Sequence, residues 1–316
     1  MTTRRPLYLH IGLHKTGTTS IQRLLADGEA EFAQAGYHVA DRLGRNEPGH
    51  HRQVVLLETE GAEAFVRSLD ATPGDAVLVS CERLSKMFRD ASLCQEVLTA
   101  LSRSFDVTVI AFLRRQDFLK ESVYAQVVKA RYSPDIMEEV RYQYDIGRLV
   151  RNLEAAIGSG RISLAVYRDD LGGRGDLSGD FLRKIGWTAG AETLPKLPRD
   201  NTSLHRRARL FLGQIEKPSR SFAKSLVAAV MESGAIANDG QPELMSPATR
   251  ATFLTPYLAE NTAVAEAYAL EGGGFFGSVP DLAQPWFPPE PIRRAELAAI
   301  EDRLGQPVEH ALVFAD

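Results

Sequence analysis

Hydrophobic and polar positions along the chain follow two regimes. Up to about residue 200, short β-rich runs alternate with stretches of helical periodicity. Residues 7–11 (LYLHI), 76–80 (AVLVS), 107–113 (VTVIAFL) and 162–167 (ISLAVY) are the strand candidates. Near-continuous apolar strands separated by helices predict an α/β fold with a central parallel sheet flanked by helices. Beyond residue 201 the pattern becomes helical. Residues 204–215 and 223–231 read as amphipathic helices, and Ser246-Pro247 and Thr255-Pro256 each place a hydroxyl cap before a proline at the first helical position. Residues 280–291 are rich in proline and read as an extended, wrapping arm that ends in a short helix over 293–304. The expectation is one domain over residues 1–316, with an α/β core to about 200 and a helical C-terminal extension from about 201.

Composition narrows the class. A chain of 316 residues, 44% hydrophobic, is long enough to bury a sizeable core. Its net charge of -4 argues against a general nucleic-acid binder. The run Arg206-Arg207-Ala208-Arg209 reads as a solvated helix face. Cys81 and Cys94 form no CxxC pair, so neither a disulfide framework nor a structural zinc site is expected. No stretch reaches the ~18 apolar residues of a membrane span, and the first residues carry no signal-peptide pattern. A soluble cytoplasmic protein is expected.

The sharpest chemical signal is Gly12-Leu13-His14-Lys15-Thr16-Gly17-Thr18-Thr19, placed between the first strand and a helix starting near Thr18. Two glycines allow a tight turn, and the backbone N–H groups at the helix start make an anion site. Lys15 adds a positive charge, and Thr16, Thr18 and Thr19 add hydroxyls. In a Walker A loop the lysine follows the second glycine; here it precedes it. The GxxKTGTT pattern instead resembles the 5′-phosphosulfate loop of sulfotransferases, which use 3′-phosphoadenosine 5′-phosphosulfate (PAPS) as donor. The resemblance implies a P-loop-like fold and a donor site made by His14, Lys15, Thr16, Gly17, Thr18 and Thr19. That family grips the donor's 3′-phosphate with an arginine at a later strand end and a serine eight residues on. Arg114 and Ser122 have this spacing, although Gln116 stands where the family commonly has proline. Weaker similarities lie in VLVSCERL (77–84), AVYRDDL (165–171), FLRKIGW (181–187), PRDNTSLHRRARLFL and YLAENTAVAEAY. Together they cover roughly residues 7–276 and point to the bacterial and carbohydrate-type members.

On this resemblance Lys15 neutralises charge developing on the transferring group. The general base is expected among His51, His50 and Glu82. His51 comes first, because its segment matches the family position and imidazole titrates near neutral pH. Glu82 follows, as a carboxylate at the carboxyl end of a central strand. No metal is expected, and His10, His38, His205 and His310 have no context that promotes them. Tyr124, Tyr132, Tyr142 and Tyr144 are candidates for the acceptor side, with core or surface packing as the plainer role, and Trp187 and Trp286 read as packing residues. The acceptor would be the hydroxyl of a carbohydrate, lipid or small metabolite; its identity and the oligomeric state are not readable. A P-loop kinase using ATP and Mg²⁺, or a nucleotide-binding adaptor without chemistry, are the rival readings.

Overall fold

The computed structural model describes residues 4–42, 48–130, 144–168, 176–189, 194–195, 204–215, 219–308 and 314. The chain forms two compact units that interleave in sequence. A sheet unit comprises Met1–Arg115, Tyr142–Arg199 and Tyr257–Ser278; a helical unit comprises Gln116–Arg141, Asp200–Pro256 and Val279–Asp316.

The sheet unit begins with β1 (Arg5–His10), α1 (Thr18–Asp27), α2 (Glu29–Gln34) and β2 (Tyr37–Val39). It continues through α3 (His51–Glu60), α4 (Ala62–Asp70), β3 (Ala76–Ser80), α5 (Arg83–Met87), α6 (Ala91–Ser104) and β4 (Phe105–Leu113). α7 (Gln116–Ala130) belongs to the helical unit, whereas α8 (Ile146–Ile157), β5 (Ile162–Val166) and α9 (Leu177–Lys184) belong to the sheet unit. The helical unit then adds α10 (Arg206–Gln214), α11 (Arg220–Ser233) and α12 (Pro247–Leu254). α13 (Leu258–Ala267) and α14 (Gly273–Phe276) complete the sheet unit, and α15 (Arg294–Leu304) the helical one.

All strand pairs are parallel, in the order β2-β3-β1-β4-β5. The strands alternate their side chains between two cores, as a period of two requires. Leu7, Leu9, Val77, Val79, Val107 and Val109 pack with α4, α6 and α8 on one face. Leu78, Ile110 and Phe112 pack with α1, α2 and α9 on the other. Each fully buried leucine or phenylalanine is worth about 1.5–3 kcal/mol, so both faces hold the strand ends in register. α8 shows how sequence makes such a face: Ile146, Leu149, Val150 and Leu153 recur at helical spacing and are buried, and Asp145 caps the helix by accepting from Arg148 N–H at 3.0 Å.

The sheet contains the four expected strands and one more. β2 is only three residues, YHV, at the sheet edge, too short to show an alternation of its own. Two readings of the C-terminal region are corrected. Ser246 does cap α12, accepting from Thr249 N–H at 3.1 Å with Pro247 first in the helix. Thr255 instead ends that helix and donates back to Ala251 C=O at 2.9 Å, with a 3-10 turn following. The Arg206–Arg209 run is not a solvated face. Arg206, Arg207 and Arg209 are buried and ion-paired to Asp239, Glu296 and Glu121 at 2.7, 2.8 and 3.4 Å. Trp187 packs edge-on against Phe32, as a packing residue should. Among the described residues no helix is long and apolar enough to cross a membrane.

Candidate functional site

The loop after β1 is stitched to the neighbouring strand. Ile11 N–H donates to Ile110 C=O and Leu13 N–H to Phe112 C=O, both at 3.0 Å, while Phe112 N–H donates to Gly12 C=O at 2.6 Å. Thr16 is buried, and its hydroxyl donates to Leu13 C=O at 2.6 Å, so this hydroxyl shapes the turn. Gly12 and Gly17 both have positive φ, 99° and 74°, where glycine is least strained. Gly17 is the N-cap of α1 and offers no side chain to its first turn. Ser20 N–H donates to Gly17 C=O at 2.9 Å, and the Thr18 and Thr19 N–H groups stand at the positive end of the helix dipole, the geometry of an anion site.

Lys15 adopts a left-handed backbone with φ 62°, which for a residue with a Cβ costs on the order of 1 kcal/mol. Arg114, just past β4, holds that conformation by donating from Nη1 to Lys15 C=O at 2.6 Å. The same guanidinium lies over the Tyr167 ring, 5.2 Å from its centroid. Arg115 is employed elsewhere. It is 3% exposed, donates to Phe275 C=O at 3.1 Å and stacks on the Phe275 ring. The structure thus separates the two adjacent arginines. Ser122 lies in α7 of the helical unit, and its assignment rests on spacing and resemblance.

At the carboxyl end of β3 the acid–base candidates converge. The Glu82 Oε1 and His51 Nε2 atoms are 3.8 Å apart, with side chains 15% and 28% exposed. Gln22 on α1 donates from Nε2 to Glu82 Oε2 at 2.7 Å. His51 Nδ1 lies 3.5 Å from Cys81 Sγ, and burial pushes the Cys81 thiol up to about 12. His14 is half-buried in the loop. Desolvation lowers its pKa; Glu82 opposes that shift, and His51, Lys15 and Arg89 reinforce it.

His50 is not interchangeable with its neighbour. It is fully buried, accepting at Nδ1 from Ser80 N–H at 3.1 Å and facing Ala40 C=O with Nε2 at 3.0 Å. Burial lowers its pKa to about 4, so it is a neutral strut between β3 and the segment after β2. His10 is likewise buried, 2.7 Å from Ser80 Oγ, with its pKa lowered to about 3. His205 caps α10 from its side chain, and His310, Tyr132 and Tyr142 lie outside the described residues. Tyr144 is buried against Tyr257. Among the described residues no group of three or more His, Cys, Asp or Glu is arranged to hold a metal ion.

Sequence reasoning missed Gln22 and Tyr167. Gln22 is a polar residue on the buried face of α1, beside Ile21, Leu24 and Leu25, and that misplaced polarity was its only signal. Tyr167 follows β5 with nothing in its own segment to connect it to Arg114.

No family model and no curated protein matches the chain. Among solved structures, a sulfotransferase crystal structure from Alicyclobacillus acidocaldarius aligns with 84% of this chain and 97% of its own, at 11% identity and a TM-score of 0.44.

Proposed function

We propose that this chain is a PAPS-dependent sulfotransferase, moving a sulfuryl group to a hydroxyl of a carbohydrate, lipid or small metabolite, with residues 1–316 as one sulfotransferase-like domain. The observation that carries the reading is the Arg114–Lys15 link. It sets two cations beside a helix start whose N-cap is glycine, in the loop order that the resemblance implies. These residues fit a donor with anionic groups at both its 5′ and 3′ positions: charge, N–H groups and the arginine are all of the complementary sign.

When bound, the donor supplies a sulfuryl group already activated by its bond to a phosphate. The first-turn N–H groups of α1, through Thr18 and Thr19, hold the 5′-phosphate, with His14 donating to the same oxygens. Lys15 stabilises charge that grows on the leaving phosphate oxygen. Arg114 takes the 3′-phosphate, with Ser122 as the hydroxyl assigned by spacing. The Glu82–His51 pair takes the proton of the attacking hydroxyl as the new S–O bond forms and the old one breaks.

The test is calorimetric titration with 3′,5′-bisphosphorylated adenosine, adenosine 5′-monophosphate, and ATP with Mg²⁺. Because Arg114 also braces the loop, the informative quantity is the preference for bisphosphate over monophosphate. Arg114→Ala should abolish that preference; equal weakening of both ligands would confine Arg114 to bracing. Binding of ATP with Mg²⁺ alone would replace this reading by the kinase. Bisphosphate binding without transfer from PAPS to any of a panel of hydroxyl acceptors would favour the adaptor.

A further inference from the structure

We propose that Gln22 is a positioning residue: its amide fixes the Glu82 carboxylate so that Oε1 faces His51, making Glu82 and His51 one proton-accepting unit. The inference rests on the sulfotransferase reading for its chemistry, but its geometry is independent of that reading. Gln22 is 3% exposed and donates to Glu82 Oε2 at 2.7 Å, an interaction between a neutral donor and a charged acceptor in a largely dry setting. The other carboxylate oxygen, Oε1, lies 3.8 Å from His51 Nε2.

Two glycines leave room for this arrangement. A Cβ on Gly12 would lie 2.9 Å from Glu82 Cβ, and a Cβ on Gly49 would lie 2.8 Å from Gln22 Cδ and Nε2. Either would push one partner off the other. From the opposite side Cys81 sets the imidazole. Its Sγ lies 3.5 Å from His51 Nδ1, which turns the other ring nitrogen, Nε2, toward Glu82. Glu82 Oε1 and His51 Nε2 thus face each other across 3.8 Å, and the proton is received by the pair. Gln22 acts on this unit without touching the reacting atoms.

Gln22→Met keeps the length of the side chain and removes the donor. Two readouts apply: kcat against the dissociation constant for 3′,5′-bisphosphorylated adenosine, and the ¹⁵N ring signals of His51, assigned with His51→Gln. The expected result is a fall in kcat on the order of 100-fold with bisphosphate affinity unchanged, and a shift in the His51 ring signals. In a Glu82→Gln background the same substitution should add little, because it acts through Glu82. If Gln22→Met does not fold, Gln22→Glu, with the same shape but an acceptor for a donor, carries the same test. A kcat within about twofold of wild type with unmoved ring signals would overturn the proposal, as would additivity with Glu82→Gln. The ring signals need no substrate. A wild-type protein without transfer activity would therefore sink the sulfotransferase reading, and the ring signals alone would decide for or against Gln22.

Discussion

In the helical unit, Arg206, Arg207, Arg209 and Arg250 are buried opposite Asp117, Glu121, Asp239 and Glu296. Glu121 alone receives Arg209, Arg250 and the N–H groups of Leu244 and Met245. At the strand ends of the sheet unit, Lys15, Glu82, His51 and Arg114 are only partly buried. Their contacts include a backbone carbonyl, a neutral amide and a long 3.8 Å approach. The first group is closed, with cation matched to carboxylate. The second shows looser contacts, a carboxylate held by a neutral amide and a histidine at 3.8 Å. Density of charge in the sequence does not distinguish the two; what surrounds the charge does.

Breaking the closed group should cost the most. Arg250 bridges Asp117 and Glu121 at 3.1 Å each, and Arg250→Met removes the cation they share. A loss of about 3–5 kcal/mol is expected, measured by chemical denaturation; a loss below about 1 kcal/mol would show that the carboxylates are answered without it. Lys15→Ala tests the open group in the other currency. Turnover should fall roughly 100- to 1,000-fold with stability near wild type, whereas loss of folding would make the loop structural.

The neutral struts contribute next. The folded pKa of His50 is lowered to about 4 from an ordinary value of 6.5, so the unfolded chain binds more protons between those values. Its contribution is complete above about pH 6.5 and is lost as pH falls toward 4, to a total of roughly 3 kcal/mol. His10 acts in the same direction. His50→Gln should flatten the stability profile in that window, and a slope equal to wild type would remove the assignment. The smallest effect belongs to an exposed pair. Arg103 and Glu63 are 3.0 Å apart with side chains 70% and 65% exposed, and Arg103→Ala should cost less than about 0.5 kcal/mol by the same denaturation.

The strands were legible because a strand buried on both faces must be apolar throughout, and AVLVS and VTVIAFL can be little else. The tight turn after β1 was legible because the two glycines that shape it are local. What sets His51 apart from His50 was not, since adjacent residues of one type differ only in what their rings meet. Nor was the fate of Arg206 to Arg209: a basic run on a helix reads as solvated until carboxylates from residues 121, 239 and 296 are brought to it.

By itself, then, the sequence determined the alternation of strands and helices, the glycine-framed loop after β1 and the cap at Ser246, since each depends on steric and hydrogen-bonding rules within a few residues. Tertiary structure decided which arginine braces Lys15, which histidine faces Glu82 and that Gln22 holds it. These are contacts of 99, 31 and 60 residues' separation in sequence, and only the packing of β1, β3, β4 and α1 brings them within reach.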